Sequence, residues 1–482
     1  MLSISKELFS AWNNAELLYC HWKSNEHLLE GLNGETDLDV LLSHHDKDRG
    51  EELLRQLDFL KCKSQVGSRY PDVDDWIGFD KPTGSLIHVH LHYSIVTGHK
   101  GLKEYDLPWS ELALDTRVYN AEYGVYTMEP NLEMVTLYTR IGLKADITTL
   151  FRSRIGKYHY DKDAKREIEW LKKRVDLNRV RQLLELYYKD KAKQVLEIMG
   201  LETIEASSYR KLRKIAEETF KSNRRVHGFI RLRELYFLVY HTLIKKTIQK
   251  FKPLITKKIP ASEKGVSIAF LGQDGAGKTT VTQKLIKWWN WKMDIRYLYF
   301  GSGENYSSWK KRLSNKLPSN RVFKYLKAAL VIIDLRDVQR HAYRSIKRAQ
   351  KYIKKGGVAI YDRFPQNEYP GICDGPKIRL FLSKNMGNGL LTRLLLPFAH
   401  SEEKYINKIL FYSPDVVFKL ILPPEESIRR KPQENLEMVS RKHEIIKSLA
   451  FEGSDVYTID ATMPFDKEIV LLKNTIWQHL QK

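Results

Sequence analysis

The stretch "SIAFLGQDGAGKTTVTQKL", residues 267–285, decides how the rest of the chain is read. An apolar run gives way to a glycine-rich turn, then to "KTTVTQKLIKWW", whose apolar residues recur at helical spacing. Gly272, four residues, then Gly277, Lys278 and Thr279 is the spacing of a phosphate-binding loop. Glycine lets backbone N–H groups turn toward phosphate oxygens without a Cβ clash, and the helix N-terminus behind them adds a favourable dipole. Gly272, Gly275, Ala276, Gly277, Lys278, Thr279 and Thr280 are therefore expected to cradle ATP. Lys278 reaches the β- and γ-phosphates in this reading, and the Thr279 hydroxyl ligates Mg²⁺.

Outward from the loop, short apolar runs alternate with long helical stretches: 266–271, 295–300, 357–362, 415–422 and 456–461. That alternation predicts an α/β domain, a parallel sheet with helices on both faces, over residues 265–482. The third run ends in Asp362 and Arg363. An acid at the carboxyl end of a strand beside a phosphate loop is placed to hold Mg²⁺, and the arginine presents a planar fork to phosphate oxygens.

At 482 residues the chain is expected to hold two or three domains. Residues 1–128 read as a mixed α/β domain, 129–250 as a basic helical domain and 251–264 as a linker. A hydrophobic content of 42% with 29% charged residues is that of a globular chain. Cys20, Cys62 and Cys373 lie far apart, which argues against a disulfide framework or a zinc site. The N-terminal stretch has no basic region followed by an apolar core, and no run of about 18 apolar residues occurs. A cytoplasmic protein is expected.

The formal charge of +22 is concentrated, not spread. Residues 221–260 carry eleven Lys/Arg against Glu234, and 310–355 carry fifteen against Asp334 and Asp337. Within 223–253, Leu232, Leu235, Tyr236, Val239 and Leu243 fall on one helical face, with lysines and arginines around it. Two readings stay open: a helix packed between domains, or peripheral contact with an anionic inner-membrane face. No nucleic-acid recognition motif accompanies the charge, so specific nucleic-acid binding is not expected.

In the head, "GETDLD" places Gly34 before Asp37 and Asp39 at the start of a strand, where both acids point the same way and can hold Mg²⁺. The run "SLIHVHLHY" (85–93) puts His88, His90 and His92 on one face. Asp74, Asp75 and Asp80, in the stretch just before the histidines, are further carboxylates that could join Asp37 and Asp39. The histidines themselves could bind a transition metal, or be a polar face covered by the helical domain.

The "GQDGAGKTT", "YDRF" and "SPDVVFKLILPPEESIRRK" segments resemble the thymidylate kinase family of P-loop kinases, over about 265–482. The resemblance implies that Asp274 lies close to the acceptor and that Asp362 and Arg363 serve the metal and the acceptor phosphate. It also implies that Arg429, Arg430 and Lys431 belong to a lid over ATP. Two segments depart from the family: "YLYFGSGENYSS" (297–308) stands where an Arg-Glu-Pro-like stretch is usual, and "FPQNEYPGICDGP" (364–376) differs from the usual acceptor segment. Glu304, Gln366 and Asp374 are expected to line the altered pocket. The head resembles the polymerase-β-like nucleotidyltransferase superfamily, which implies nucleotidyl transfer by Asp37 and Asp39. The pieces "WKSN", "HLHY", "DRFPQ" and "DGP" look like bacterial two-domain proteins joining such a head to such a kinase, some associated with surface polysaccharide biosynthesis. The expected activity is phosphoryl transfer to a nucleoside monophosphate or a glycan-pathway metabolite. The alternatives are a bifunctional kinase and nucleotidyltransferase, or an ATP-gated binding protein.

Overall fold

The computed structural model describes residues 1–226 and 258–482, apart from 65–69, 71, 100–101, 145–146, 157–161, 202–203, 262–263, 301–312, 315, 319–320 and 387–388, together with Gly228, Leu232 and Tyr236. It divides into two compact units, Met1–Lys258 and Ile259–Lys482.

The first unit is built on strands β1 (Tyr19–His21), β2 (Asp37–Leu42), β3 (Leu60–Lys63), β4 (Val73–Asp80) and β5 (Ser85–His92). A two-stranded pair, β6 (Val96–Thr97) and β7 (Tyr105–Asp106), follows, then β8 (Val118–Asn120) and β9 (Val125–Thr127). Seven of these pair in the order β3-β4-β5-β2-β1-β9-β8. β5 runs parallel to β2 and antiparallel to β4. Leu38, Val40, Leu42, Val89 and Leu91 point to one face and bury against Leu8, Phe9 and Trp12 of helix Ser3–Asn14. Because side chains alternate along a strand, Asp37, Asp39, His88, His90 and His92 are left on the opposite face.

That division departs from the expected break after residue 128. Cys20, Trp22 and Leu41 of the sheet share one buried cluster with Leu132, Val135, Leu183, Tyr209 and Leu212 of the helices, so sheet and helices form one unit. Each such side chain contributes about 1.5–3 kcal/mol on burial, enough together to bind the two parts. Helices Leu177–Tyr188 and Ala192–Met199 are separated by a turn at Lys189–Lys191, where Lys189 has φ 51°. The charged turn lets Tyr188 on one side and Val195 and Ile198 on the other enter the same core.

The second unit has strands β10 (Val266–Gly272), β11 (Ile295–Tyr299), β12 (Val358–Asp362), β13 (Val416–Ile421) and β14 (Asp455–Asp460). They form one sheet in the order β11-β12-β10-β13-β14, every neighbouring pair parallel. Ala269 and Leu271 pack with Ile346 and Ile353 of helix Arg321–Ile353 and with Ile445 and Ile446 of helix Leu436–Ser448. Ile268 and Phe270, facing the other way, are fully buried too, as a sheet covered on both faces requires. Among the described residues no helix is long and apolar enough to cross a membrane. Most of the basic stretch 223–253, and with it the membrane-contact reading, lies outside the described residues; Arg225 at its start pairs with Asp72 and Asp106, both at 2.6 Å.

Candidate functional site

β10 sits in the middle of the second sheet, so the turn leaving it, 272–277, opens at the carboxyl ends of β12 and β13. Gly275 and Gly277 have φ 86° and 82°, a left-handed conformation that residues with a Cβ adopt at a cost of about 1–2 kcal/mol. Gly277 caps helix Lys278–Trp289, whose first turn carries Thr279 and Thr280, both exposed. The Lys278 ammonium folds back over the loop, donating to the carbonyls of Gly272 (2.6 Å) and Gln273 (2.9 Å). Burial, with Arg363 nearby, pulls its pKa down to about 8.

Asp362 closes β12 directly beside β10, its Cα paired with Phe270. Its Oδ2 accepts from the Tyr297 hydroxyl at 3.0 Å, while Oδ1 is buried with no hydrogen-bond partner among the described residues. A buried anionic oxygen left unsatisfied is costly unless a cation meets it. Asp362 and the exposed Thr279 therefore fit Mg²⁺, with oxygen donors of the kind that ion takes.

Arg363 follows with φ 70° and stands between two carboxylates, Nη1 3.7 Å from Asp374 and Nη2 3.9 Å from Asp274. Its Nε is buried and without a partner among the described residues. Cys373 and Asp374 also take positive φ, 47° and 61°. Left-handed backbone at three residues around one cleft marks a place where the fold holds strain for geometry. Asp274 pairs with Lys442. Burial pushes its carboxyl up, but Lys442, then Lys278 and Arg363, outweigh that and hold it below the usual range. Burial raises the Asp374 carboxyl above its ordinary value, with Arg363, Lys377 and Lys278 opposing. The cleft enclosed by these groups is floored by Leu271, Ile446 and Leu449.

Among the expected lid residues, Arg430 ends helix Pro424–Arg430, reaching the Gly275 carbonyl (3.4 Å) and the Ala461 carbonyl (3.2 Å). Arg429 instead turns to Glu426. Gln366 is not in the cleft: its amide donates to the carbonyls of Tyr369 and Ile372, and its oxygen accepts from the Tyr369 N–H, so it braces the 366–375 turn. Glu304 lies outside the described residues. Sequence reading missed Lys442, Ser427, whose hydroxyl donates to the Asp274 carbonyl, and Tyr297. Lys442 and Ser427 come from helices with no phosphate-loop pattern, and only the three-dimensional fold brings them in.

In the head, the register aligns Asp37 with His88 and Asp39 with His90 across β2 and β5, and Asp75 with His90 across β4 and β5. Gly34, φ 73°, makes the turn before Asp37; a Cβ there would meet the Leu86 carbonyl oxygen at 2.3 Å. Asp75 thus joins Asp37 and Asp39, whereas Asp80 takes the Ile4 N–H of the first helix and Asp74 pairs with Lys61. All three clustered acids already face imidazoles, and Lys23 lies 2.8 Å from Asp39. The donors here are mixed nitrogen and oxygen, so this face does not fit the all-oxygen shell Mg²⁺ prefers. The His face is not simply covered by helices: His90 stays partly exposed.

No protein-family model matches the chain. Over 216 residues it is 27% identical to the uncharacterized ATP-binding protein YghR of Escherichia coli K12, which spans 42% of this chain and 82% of that one. It is 26% identical over 217 residues to the uncharacterized ATP-binding protein YghS of the same strain, spanning 42% and 87%. Among solved structures, deoxyadenosine kinase from M. mycoides with bound dATP aligns with 44% of the chain and 98% of its own, at 16% identity and a TM-score of 0.27. A likeness that weak has no bearing on the acceptor.

Proposed function

We propose that the second unit is an ATP- and Mg²⁺-dependent phosphotransferase of thymidylate kinase-like type, its acceptor a nucleoside monophosphate or a glycan-pathway metabolite. The observation carrying this is the Asp362 Oδ1, unpartnered among the described residues, beside a glycine loop whose Lys278 is buried and whose neighbour Arg363 is held between two acids. The ATP-binding names of the relatives agree with it. Thr279 and Asp362 would hold Mg²⁺, which when bound neutralises phosphate charge. Lys278 supplies positive charge along the path of the phosphoryl group, and Arg363 takes the acceptor's charge with a fork whose Nε awaits a partner. Asp274, held ionised, orients the acceptor more readily than it deprotonates it: a carboxylate with lowered pKa is a weak base. Arg430 braces the loop from the far side.

ADP release from Mg-ATP, tested against nucleoside monophosphates, sugars and sugar phosphates, decides the reading. Stimulation by one class names the acceptor. Tight ATP binding with silence across the panel would replace the kinase by an ATP-gated binding protein.

The pH dependence supplies a further check. A lysine whose folded pKa is lowered to about 8 is charged below that value and neutral above it. ATP favours the ammonium, so the Kd for ATP should be flat below pH 8. Above it, Kd should weaken by about tenfold per pH unit toward the ordinary lysine range. The same shift makes Lys278 oppose folding below pH 8, an opposition that fades as pH rises from about 8 to 10.5. Calorimetric titration at pH 7, 8 and 9 measures the affinity; a flat profile to pH 9 contradicts the assignment.

A second reading, nucleotidyl transfer in the first unit, has the arrival of Asp75 beside Asp37 and Asp39 in its favour and the imidazoles facing all three acids, which suit Mg²⁺ poorly, against it. Pyrophosphate release from a nucleoside triphosphate, lost in Asp39→Asn, is its test.

A further inference from the structure

The polar face of the first unit's sheet is not used by the kinase reading, and its donor set is unlike that of a magnesium site. His88 and His90 stand on β5 with ring centroids 4.2 Å apart. Each turns both nitrogens toward carboxylate oxygens. His88 Nδ1 lies 2.6 Å from Asp37 and Nε2 3.0 Å from Asp75; His90 Nδ1 lies 3.3 Å from Asp39 and Nε2 3.1 Å from Asp75. The two rings and the three acids thus bring imidazole nitrogens and carboxylate oxygens together on one face.

We infer that Asp37, His88 and His90 hold one divalent first-row transition ion, in preference to Mg²⁺. One ligand atom from each of the three lies within 4.8 Å of the others. Asp37 Oδ1 lies 2.6 Å from His88 Nδ1 and its Oδ2 lies 3.9 Å from His90 Nδ1, so one carboxylate reaches both rings. Two imidazoles and a carboxylate are the ligands such ions take, whereas Mg²⁺ favours oxygen alone. The rings are held firmly: His88 is fully buried, and the parallel register with β2 fixes Asp37 opposite it. Asp37 and His90, with side chains 27% and 21% exposed, keep the side through which an ion enters. The strands that present these donors are rigid, paired elements, as a site with fixed geometry needs.

The test uses the full chain, stripped with chelator and free of nucleotide, titrated calorimetrically with Zn²⁺, Mn²⁺ and Mg²⁺, with bound metal counted by elemental analysis. One equivalent of Zn²⁺ is expected, bound roughly 100-fold or more tighter than Mg²⁺, with Mn²⁺ between them. Co²⁺ should give visible absorption bands of a low-coordinate nitrogen and oxygen site. His90→Gln and Asp37→Asn should each weaken Zn²⁺ at least about tenfold, while His45→Ala, on the surface with its side chain 88% exposed, leaves it unchanged. A thermal melt confirms that each variant is folded; if His90→Gln is not, the half-open Asp37 position carries the test. The inference is overturned by absence of stoichiometric uptake, which would mean that protons alone hold the rings to the acids. Mg²⁺ binding as tight as Zn²⁺, uptake that survives both substitutions, or equal loss in His45→Ala would overturn it as well.

Discussion

Lys278→Ala should lower acceptor-dependent ADP release by about 10³-fold while the second unit stays folded. Phosphoryl transfer asks the protein mainly for position and positive charge, and removing one pre-oriented group of this kind costs about 4 kcal/mol of transition-state stabilisation. The structure separates this loss from a folding defect. The ammonium is buried and its pKa is drawn down to about 8, so its charge opposes folding at pH 7 instead of supporting it. The two carbonyls it now meets, of Gly272 and Gln273, belong to a loop at the mouth of the cleft, where water can replace the donor. The melting temperature at pH 7 should therefore hold or rise. Turnover within tenfold of the parent, or a variant that loses activity only because it unfolds, would remove Lys278 from the transfer step.

The loop at 272–280 was legible because its chemistry is local: strand, glycines, lysine and helix are consecutive, and their spacing is the signal. Asp362 and Arg363 were legible for the same reason, as the last residues of an apolar run. The five strands of the second sheet follow from five such runs, each within a residue or two. What was not legible depends on distant parts of the chain. Lys442 reaches Asp274 across 168 residues, and no periodicity in helix Leu436–Ser448 marks it apart from its neighbours. Gln366 was misplaced because a polar residue in a turn can face either the cleft or its own backbone, and here three backbone groups within six residues capture it. A break after residue 128 follows a change from strand to helix pattern, but a change of pattern says nothing of whether one core runs beneath both. In the head, alternation put the three histidines on one face; only the strand order β4-β5-β2 shows that acids from both neighbours flank them.

Arg363→Ala should destabilise the second unit by about 2 kcal/mol at pH 7, besides abolishing transfer. Breaking a buried pair leaves its partner's charge uncompensated, at a cost of about 3–5 kcal/mol when burial is complete. The guanidinium is one-third exposed and 3.7 Å from Asp374, so the lower figure applies. Asp374 is the residue that suffers, since its carboxyl is already raised by burial and Arg363 is the largest opposing influence. The sign of the pH dependence follows. An acid whose folded pKa lies above its unfolded value weakens the fold increasingly as pH climbs past the unfolded value of 3.8, up to the folded one. Removing Arg363 raises the folded value further, so the penalty grows between pH 4 and 7 and shrinks on acidification, where Asp374 is neutral in either state. Asp374→Asn in the Arg363→Ala background should then restore most of the loss at pH 7 and little at pH 4, read by urea unfolding at both. Backbone strain is a separate contribution that the same position can isolate. Arg363 has φ 70°, and alanine keeps the Cβ that makes this conformation costly, whereas glycine does not. Arg363→Gly should thus be about 1 kcal/mol less destabilising than Arg363→Ala while equally inactive. If alanine and glycine unfold alike, the left-handed turn is not strained; if Asp374→Asn restores nothing, the guanidinium's contribution lies elsewhere than in neutralising that acid.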